Sequence, residues 1–206
     1  HTLIVVDEGS ELHFIEGCSA PKYEKNNLHV GSVEIFVKKG AKMRFSTVES
    51  WSKNVFNLNT KRALVEAGGE MEWVSGTFGS KVTMLYPTTI LKGEGAKMEY
   101  LGISLASGEQ ILDSGAKAIC LADNTSAIIR SKSVSKNGGV SMTKTLAKVG
   151  KGVKGVKAYI DCKSLILDNE SRAYAEPMVD VNSGEAEVTH EASVGKLSEE
   201  ILYYLA

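Results

Sequence analysis

The stretch Gly40-Ala41-Lys42-Met43-Arg44-Phe45 recurs as Gly95-Ala96-Lys97-Met98-Glu99-Tyr100. In both, a small turn is followed by a charged residue and then by apolar residues at every second position. That alternation marks a strand with one buried face. Variants stand at Gly9-Ser10-Glu11-Leu12-His13-Phe14, Gly69-Glu70-Met71-Glu72-Trp73, Gly115-Ala116-Lys117-Ala118-Ile119 and Gly184-Glu185-Ala186-Glu187-Val188. The leading glycines lie roughly 20–30 residues apart, with a gap of about 70 before Gly184, which is the spacing of stacked repeats. A short strand pair cannot bury its apolar face alone, whereas coils laid on one another bury a continuous column. The pattern therefore predicts an all-β solenoid. A β-sandwich is the competing fold. It would space its strands at about 8–12 residues with hairpin turns, and only Asn137-Gly138-Gly139 carries a hairpin signal.

The last ten residues change character. Ser198 suits a helix N-cap, Glu199 and Glu200 suit the positive end of the helix dipole, and Leu197, Ile201, Leu202 and Leu205 share a face. The expected organisation is a β-helix core at 1–196 and the start of a C-terminal helical region at 197–206. His1 has no methionine before it and is read as a tag remnant or the continuation of an upstream segment.

Composition removes several functions. The net charge of -1 provides no basic footprint for nucleic acid. Lys144, Lys148, Lys151, Lys154 and Lys157 form the one basic concentration, read as a solvated loop. No apolar run approaches the ~18 residues of a membrane span. Three dispersed cysteines, Cys18, Cys120 and Cys162, fit a reducing cytoplasm better than a disulfide framework. The sequence contains no P-loop, no dinucleotide fingerprint, no HExxH and no nucleophile elbow. Trp51 and Trp73 read as core or coil-edge packing.

Cys162, His190 and Glu191 remain as candidate ligands. Cys162 and His190 are 28 residues apart in number, about one or two strand spacings of a solenoid. Such a separation returns side chains to adjacent coils. Thiolate, imidazole and carboxylate would form a mixed ligand set suited to iron or iron–sulfur species. The plainer readings are a cysteine buried as a small hydrophobe and a histidine hydrogen-bonded beside a surface glutamate. Cys18 and Cys120 carry the same plain reading.

The run His190-Glu191-Ala192-Ser193-Val194-Gly195-Lys196-Leu197, followed by an acidic pair and Leu202-Tyr203-Tyr204-Leu205, resembles the C-terminal signature of the SufB/SufD family. Ile15-Glu16-Gly17-Cys18-Ser19-Ala20-Pro21, Ser46-Thr47-Val48-Glu49-Ser50-Trp51, Thr60-Lys61-Arg62-Ala63-Leu64 and Tyr86-Pro87 resemble SufB in order and spacing. The resemblance implies a right-handed parallel β-helix with flanking helical regions. It implies a scaffold for iron–sulfur cluster assembly rather than an enzyme, working with a SufC-like ABC-type ATPase. A second SufB/SufD-type subunit, here expected as a homodimer, would pair through the β-helices, with the transient cluster at their interface. Cys162, His190 and Glu191 fall on family positions implicated in that assembly. Two positions depart from SufB: Val65 stands where a sulfur-accepting cysteine is common, and Thr189 where a glutamate often precedes the histidine. These departures point to free sulfide as the sulfur source, or to a SufD-like subunit that holds no cluster itself. A carbohydrate-active β-helix enzyme is a third reading, and it lacks the acidic cluster such sites display.

Overall fold

The computed structural model describes residues 1–19, 25–196 and 203–204. Its strands, numbered in chain order, alternate between two sheets, and every pairing is parallel. The first sheet holds β1 (Thr2–Val6), β3 (Asn27–Val37), β5 (Val55–Val65), β7 (Val82–Leu85), β8 (Thr88–Leu91), β10 (Ile111–Ser114), β11 (Lys117–Cys120), β13 (Val140–Val149) and β15 (Arg172–Val181). The second holds β2 (Glu11–Ser19), β4 (Lys42–Ser50), β6 (Glu70–Thr77), β9 (Lys97–Ser107), β12 (Ser126–Lys136), β14 (Val156–Ile166) and β16 (Ala186–Lys196). The expected solenoid is present, with about seven turns. Thr2 lies beside Val33, and Val33 beside Lys61, so one coil takes roughly 30 residues. Of the C-terminal helix expected at 197–206, only Tyr203 and Tyr204 fall within the described residues, and both are helical.

Glycine makes the corner between the sheets. Gly9, Gly40, Gly68, Gly95, Asn124 and Gly155 all take left-handed backbone angles, with φ 64° at Gly40 and 56° at Asn124. Each N–H is donated to the next coil, as from Gly40 to the Ala67 carbonyl at 2.9 Å and from Asn124 to Lys154 at 2.8 Å. Asparagine tolerates this region through its short polar side chain, so the wide glycine gap before Gly184 contains two true corners, Asn124 and Gly155. Gly115 is out of phase with them. It interrupts the sheet between β10 and β11, where a Cβ would sit 1.7 Å from the Lys144 carbonyl oxygen.

The core divides lengthwise. Near the glycine corner it is apolar. Phe14, Phe45, Trp73, Tyr100, Ile129 and Ile160 stack in register along the second sheet, with ring centroids 5.1 Å apart for Phe14–Phe45 and 5.4 Å for Phe45–Trp73. Trp73 donates its indole N–H to Thr89 at 2.9 Å, which removes the cost of burying that donor. Across the core, Val37, Val65, Leu91, Cys120 and Val149 form the facing column. Trp51 lies at the opposite corner, stacked on His29 at 4.3 Å.

Toward that opposite corner the interior is polar. Thr47, Ser75, Ser131, Ser133 and Ser164 point inward and are buried. Some interior serines bond one another, across coils in Ser133–Ser164 at 2.8 Å and between the facing sheets in Ser135–Ser141 at 2.8 Å. The lysine run read as a loop is spread over strands and corners and is largely paired: Lys144 with Asp113, Lys148 with Asp180 and Lys154 with Glu185. Partner carboxylates came from neighbouring coils, which linear spacing does not reveal.

Candidate functional site

Cys162 sits on β14 and His190 on β16, adjacent strands of the second sheet. Ile160 pairs with His190 and Cys162 with Ala192. Both candidate ligands therefore lie at inward-facing register positions on neighbouring coils, one step apart diagonally. An interstrand spacing of ~4.8 Å and a two-residue rise of ~6.7 Å place their Cα atoms about 8 Å apart.

Their surroundings differ. Cys162 is 0% exposed. Its sulfur contacts the Thr145 hydroxyl at 3.8 Å. Burial pushes its thiol pKa up, against a smaller lowering by Thr145. A buried thiol is a poor nucleophile and must lose a proton before it binds a metal. His190 is exposed, because no described strand stacks on β16.

Glu191 is exposed on the opposite face of β16, in register with Asp161. Successive residues of a strand point to opposite faces, so Glu191 does not meet Cys162 within one chain. Thr189 shares the outer face. Among the described residues, no three His, Cys, Asp or Glu side chains are grouped closely enough to hold a metal ion.

The other two cysteines are elsewhere. Cys120 is a buried member of the apolar column between Leu91 and Val149, and its thiol pKa is raised by burial. Cys18 lies on β2, five strands from β14 in sheet order and so roughly 24 Å away along the axis.

Around Cys18 lies an ionic cluster that the sequence did not announce. Lys61, 3% exposed, donates to Glu16 at 2.5 Å and lies 4.7 Å from the Phe45 ring centroid. Glu49 is fully buried and accepts from Asn57 at 2.7 Å and Asn59 at 3.2 Å. Burial raises the Glu49 pKa, and Lys61 opposes that rise. Burial, then Glu16 and Glu49, raise the Cys18 thiol. The signal that could have found this cluster is the every-second-residue run Asn57, Asn59, Lys61, which continues into the apolar positions Ala63 and Val65.

Comparison with known proteins gives this geometry a family. The family described as SUF system FeS cluster assembly, SufBD core domain, matches residues 1–206. The chain belongs to the SufBD core-domain family. Similar curated proteins are named iron-sulfur cluster assembly SufBD family protein, in Staphylococcus aureus strains MRSA252 and NCTC 8325 / PS 47 and in Staphylococcus epidermidis strain ATCC 12228 / FDA PCI 1200. Each is 48% identical over 204 residues, covering 99% of this chain and 44% of the relative. The chain thus spans less than half the length of these relatives. Iron–sulfur cluster assembly is the business of the SufBD family, and the resemblance read from the motifs holds over the whole chain. No helix among the described residues is long and apolar enough to cross a membrane.

Proposed function

We propose that this SufBD core is the coil of a cytoplasmic scaffold on which an iron–sulfur cluster is built transiently at the β14–β16 end. The observation that supports this reading is the shared inward register of Cys162 and His190 on adjacent strands. Among the described residues β16 is the last strand of its sheet, and every residue from Thr189 to Lys196 is exposed. Such an edge is the part of a solenoid that opens at least cost. Loosening β16, which carries His190, opens the end of the coil over the Cys162 thiol. Glu191, on the outer face, joins the set when the strand moves or from the second subunit of a homodimer. A SufC-like ABC-type ATPase supplies the motion by binding ATP. Mixed ligation suits a cluster that must be released.

Val65 is fully buried in the apolar column, so this chain has no thiol at the usual sulfur-accepting position. The sulfur source in this reading is free sulfide. Isotope-labelled sulfur passing from a cysteine desulfurase onto Cys162 or Cys18 at the rate of assembly would overturn that step.

The test is anaerobic reconstitution of the full-length protein with iron and sulfide. Cys162→Ala is expected to lose most of the visible charge-transfer absorption while the far-UV spectrum stays native. An unchanged visible spectrum in that variant removes Cys162 from the site. A second reading is a SufD-like subunit that pairs and couples to the ATPase without holding a cluster. The complete burial of Cys162 favours it. In that case the unmodified protein forms no cluster either.

A further inference from the structure

The outer face of the first sheet carries an apolar stripe running along the solenoid axis. Leu28, Phe56, Val82, Ile111 and Val140 occupy successive coils in register. Val30, Leu58 and Met84 form the row beside them, which Asp113, buried and paired with Lys144, interrupts on the fourth coil before Met142 resumes it. Leu28 is 65% exposed, Val30 67% and Met84 46%. One long edge of the stripe is the corner leading from the second sheet, and the other is the polar row that includes Thr60 and the pair Lys144 and Glu176. A scattered exposed leucine needs no explanation, but a contiguous apolar band with a polar border marks a contact surface.

The dimensions say what fits. Five coils at ~4.8 Å make a stripe about 20 Å long, and two rows make it about 10 Å wide with side chains. That is the footprint of one amphipathic helix of about 14 residues lying along the axis. It is well short of the ~800 Å² per partner that a stable interface between separate proteins buries. A tethered segment needs no such area, because its effective concentration is already in the millimolar range. The relatives supply the tether: the match covers 44% of their length, so more than half of each lies outside it.

We infer that this stripe seats an amphipathic helix of the same polypeptide, drawn from the part of the full-length protein outside these 206 residues. The helix covers Leu28, Leu58 and Met84 and leaves the β14–β16 end free for assembly.

The test uses the full-length protein alone. Met84 is oxidised with dilute peroxide beside a free methionine peptide. It is expected to react at least about tenfold more slowly than the peptide, and to do so unchanged on dilution. Less protection means a bare surface, and protection lost on dilution means a second copy; either overturns the inference. Replacing Met84 with a photo-crosslinking phenylalanine then identifies the occupant. A crosslink within one chain to a peptide outside residues 1–206 upholds it. A crosslink between chains, one confined to residues 1–206, or none at all overturns it.

Discussion

The Cys162 thiol faces the Thr145 hydroxyl across the coil interior at 3.8 Å, so the candidate cluster ligand points inward, away from solvent. Access to it is therefore a property of the last coil. Iodoacetamide labelling at neutral pH should modify Cys18, which is partly exposed, at least about a hundredfold faster than Cys120 or Cys162, because buried thiols react only through local opening. Between the two buried thiols, Cys162 should be the faster, since one described strand, β16, lies beyond it, while β13 and then β15 lie beyond Cys120. Mass spectrometry of the labelled peptides decides this. Equal rates for Cys18 and Cys162 would mean that the last coil stands open at rest, and the proposed gating by β16 would have no basis.

The left-handed corner predicts a contrast between two glycines. Gly40 has open space where a Cβ would go, but its φ is 64°. Gly40→Ala should cost about 1–2 kcal/mol through backbone strain alone. Gly17, on β2, also has open space and has no positive φ. Gly17→Ala should be neutral or should stabilise by about 0.5–1 kcal/mol by removing chain entropy. Urea unfolding of both variants checks the pair. Equal effects would show that sheet packing, not corner geometry, sets the requirement.

These corners also show how far the sequence could be read. The alternation Met43, Phe45 against Met98, Tyr100 was legible because one face of each strand is apolar and the other charged. The repeat phase was only partly legible. Asn124 takes a glycine's place at a corner, and Gly115 serves a close approach to Lys144 instead of a turn, so glycine position alone misplaces a coil. The polar interior was hidden for a different reason. Ser131, Ser133 and Ser135 alternate with Arg130, Lys132 and Val134, and nothing linear says that the serines face inward. Their partners, Ser141 and Ser164, come from the facing sheet and the next coil. For the candidate site, the return of Cys162 and His190 to adjacent coils was legible, whereas the three-ligand set passed over the alternation that turns Glu191, directly after His190 on a strand, to the opposite face.

The buried lysine gives a pH-dependent prediction. Lys61→Met leaves Glu16 without its ion partner and removes the cation that offsets the burial of Glu49. Breaking such a pair should cost about 3–5 kcal/mol at neutral pH. The folded-state pKa of Glu49 is already raised, and it rises further without Lys61. The ionised form of such a carboxyl destabilises the fold, and the penalty disappears as pH falls through its folded pKa toward the unfolded value. The deficit of Lys61→Met should therefore shrink on acidification, and Lys61→Met with Glu49→Gln should recover part of it at pH 7. Denaturant unfolding across the pH range measures this. A deficit that is flat with pH would place the cost in lost packing on Phe45 instead of in charge.

Asp168 works in the opposite direction and at the surface. It follows β14 and accepts backbone N–H groups from Ser171 at 2.7 Å, from Glu170 at 3.0 Å and from Asn137 on the coil beneath. Ser171 in turn accepts from Gly138 at 3.0 Å. The carboxylate thus pins the start of β15 onto the corner below. The Ser171 side chain, then the backbone donors, hold its carboxyl down to about 2 from the ordinary 3.8. A depressed folded pKa contributes stability above the unfolded value and loses it as pH falls through the folded one. Asp168→Asn should therefore lower the melting temperature at pH 7, with the gap narrowing below pH 3.8 and closing near pH 2. Amide exchange at Ser171, Glu170 and Asn137 should quicken first, because those donors lose the carboxylate directly. A melting difference that persists unchanged at pH 2 would mean that the loss comes from side-chain geometry, with the carboxylate's charge playing no part in holding the last coil in place.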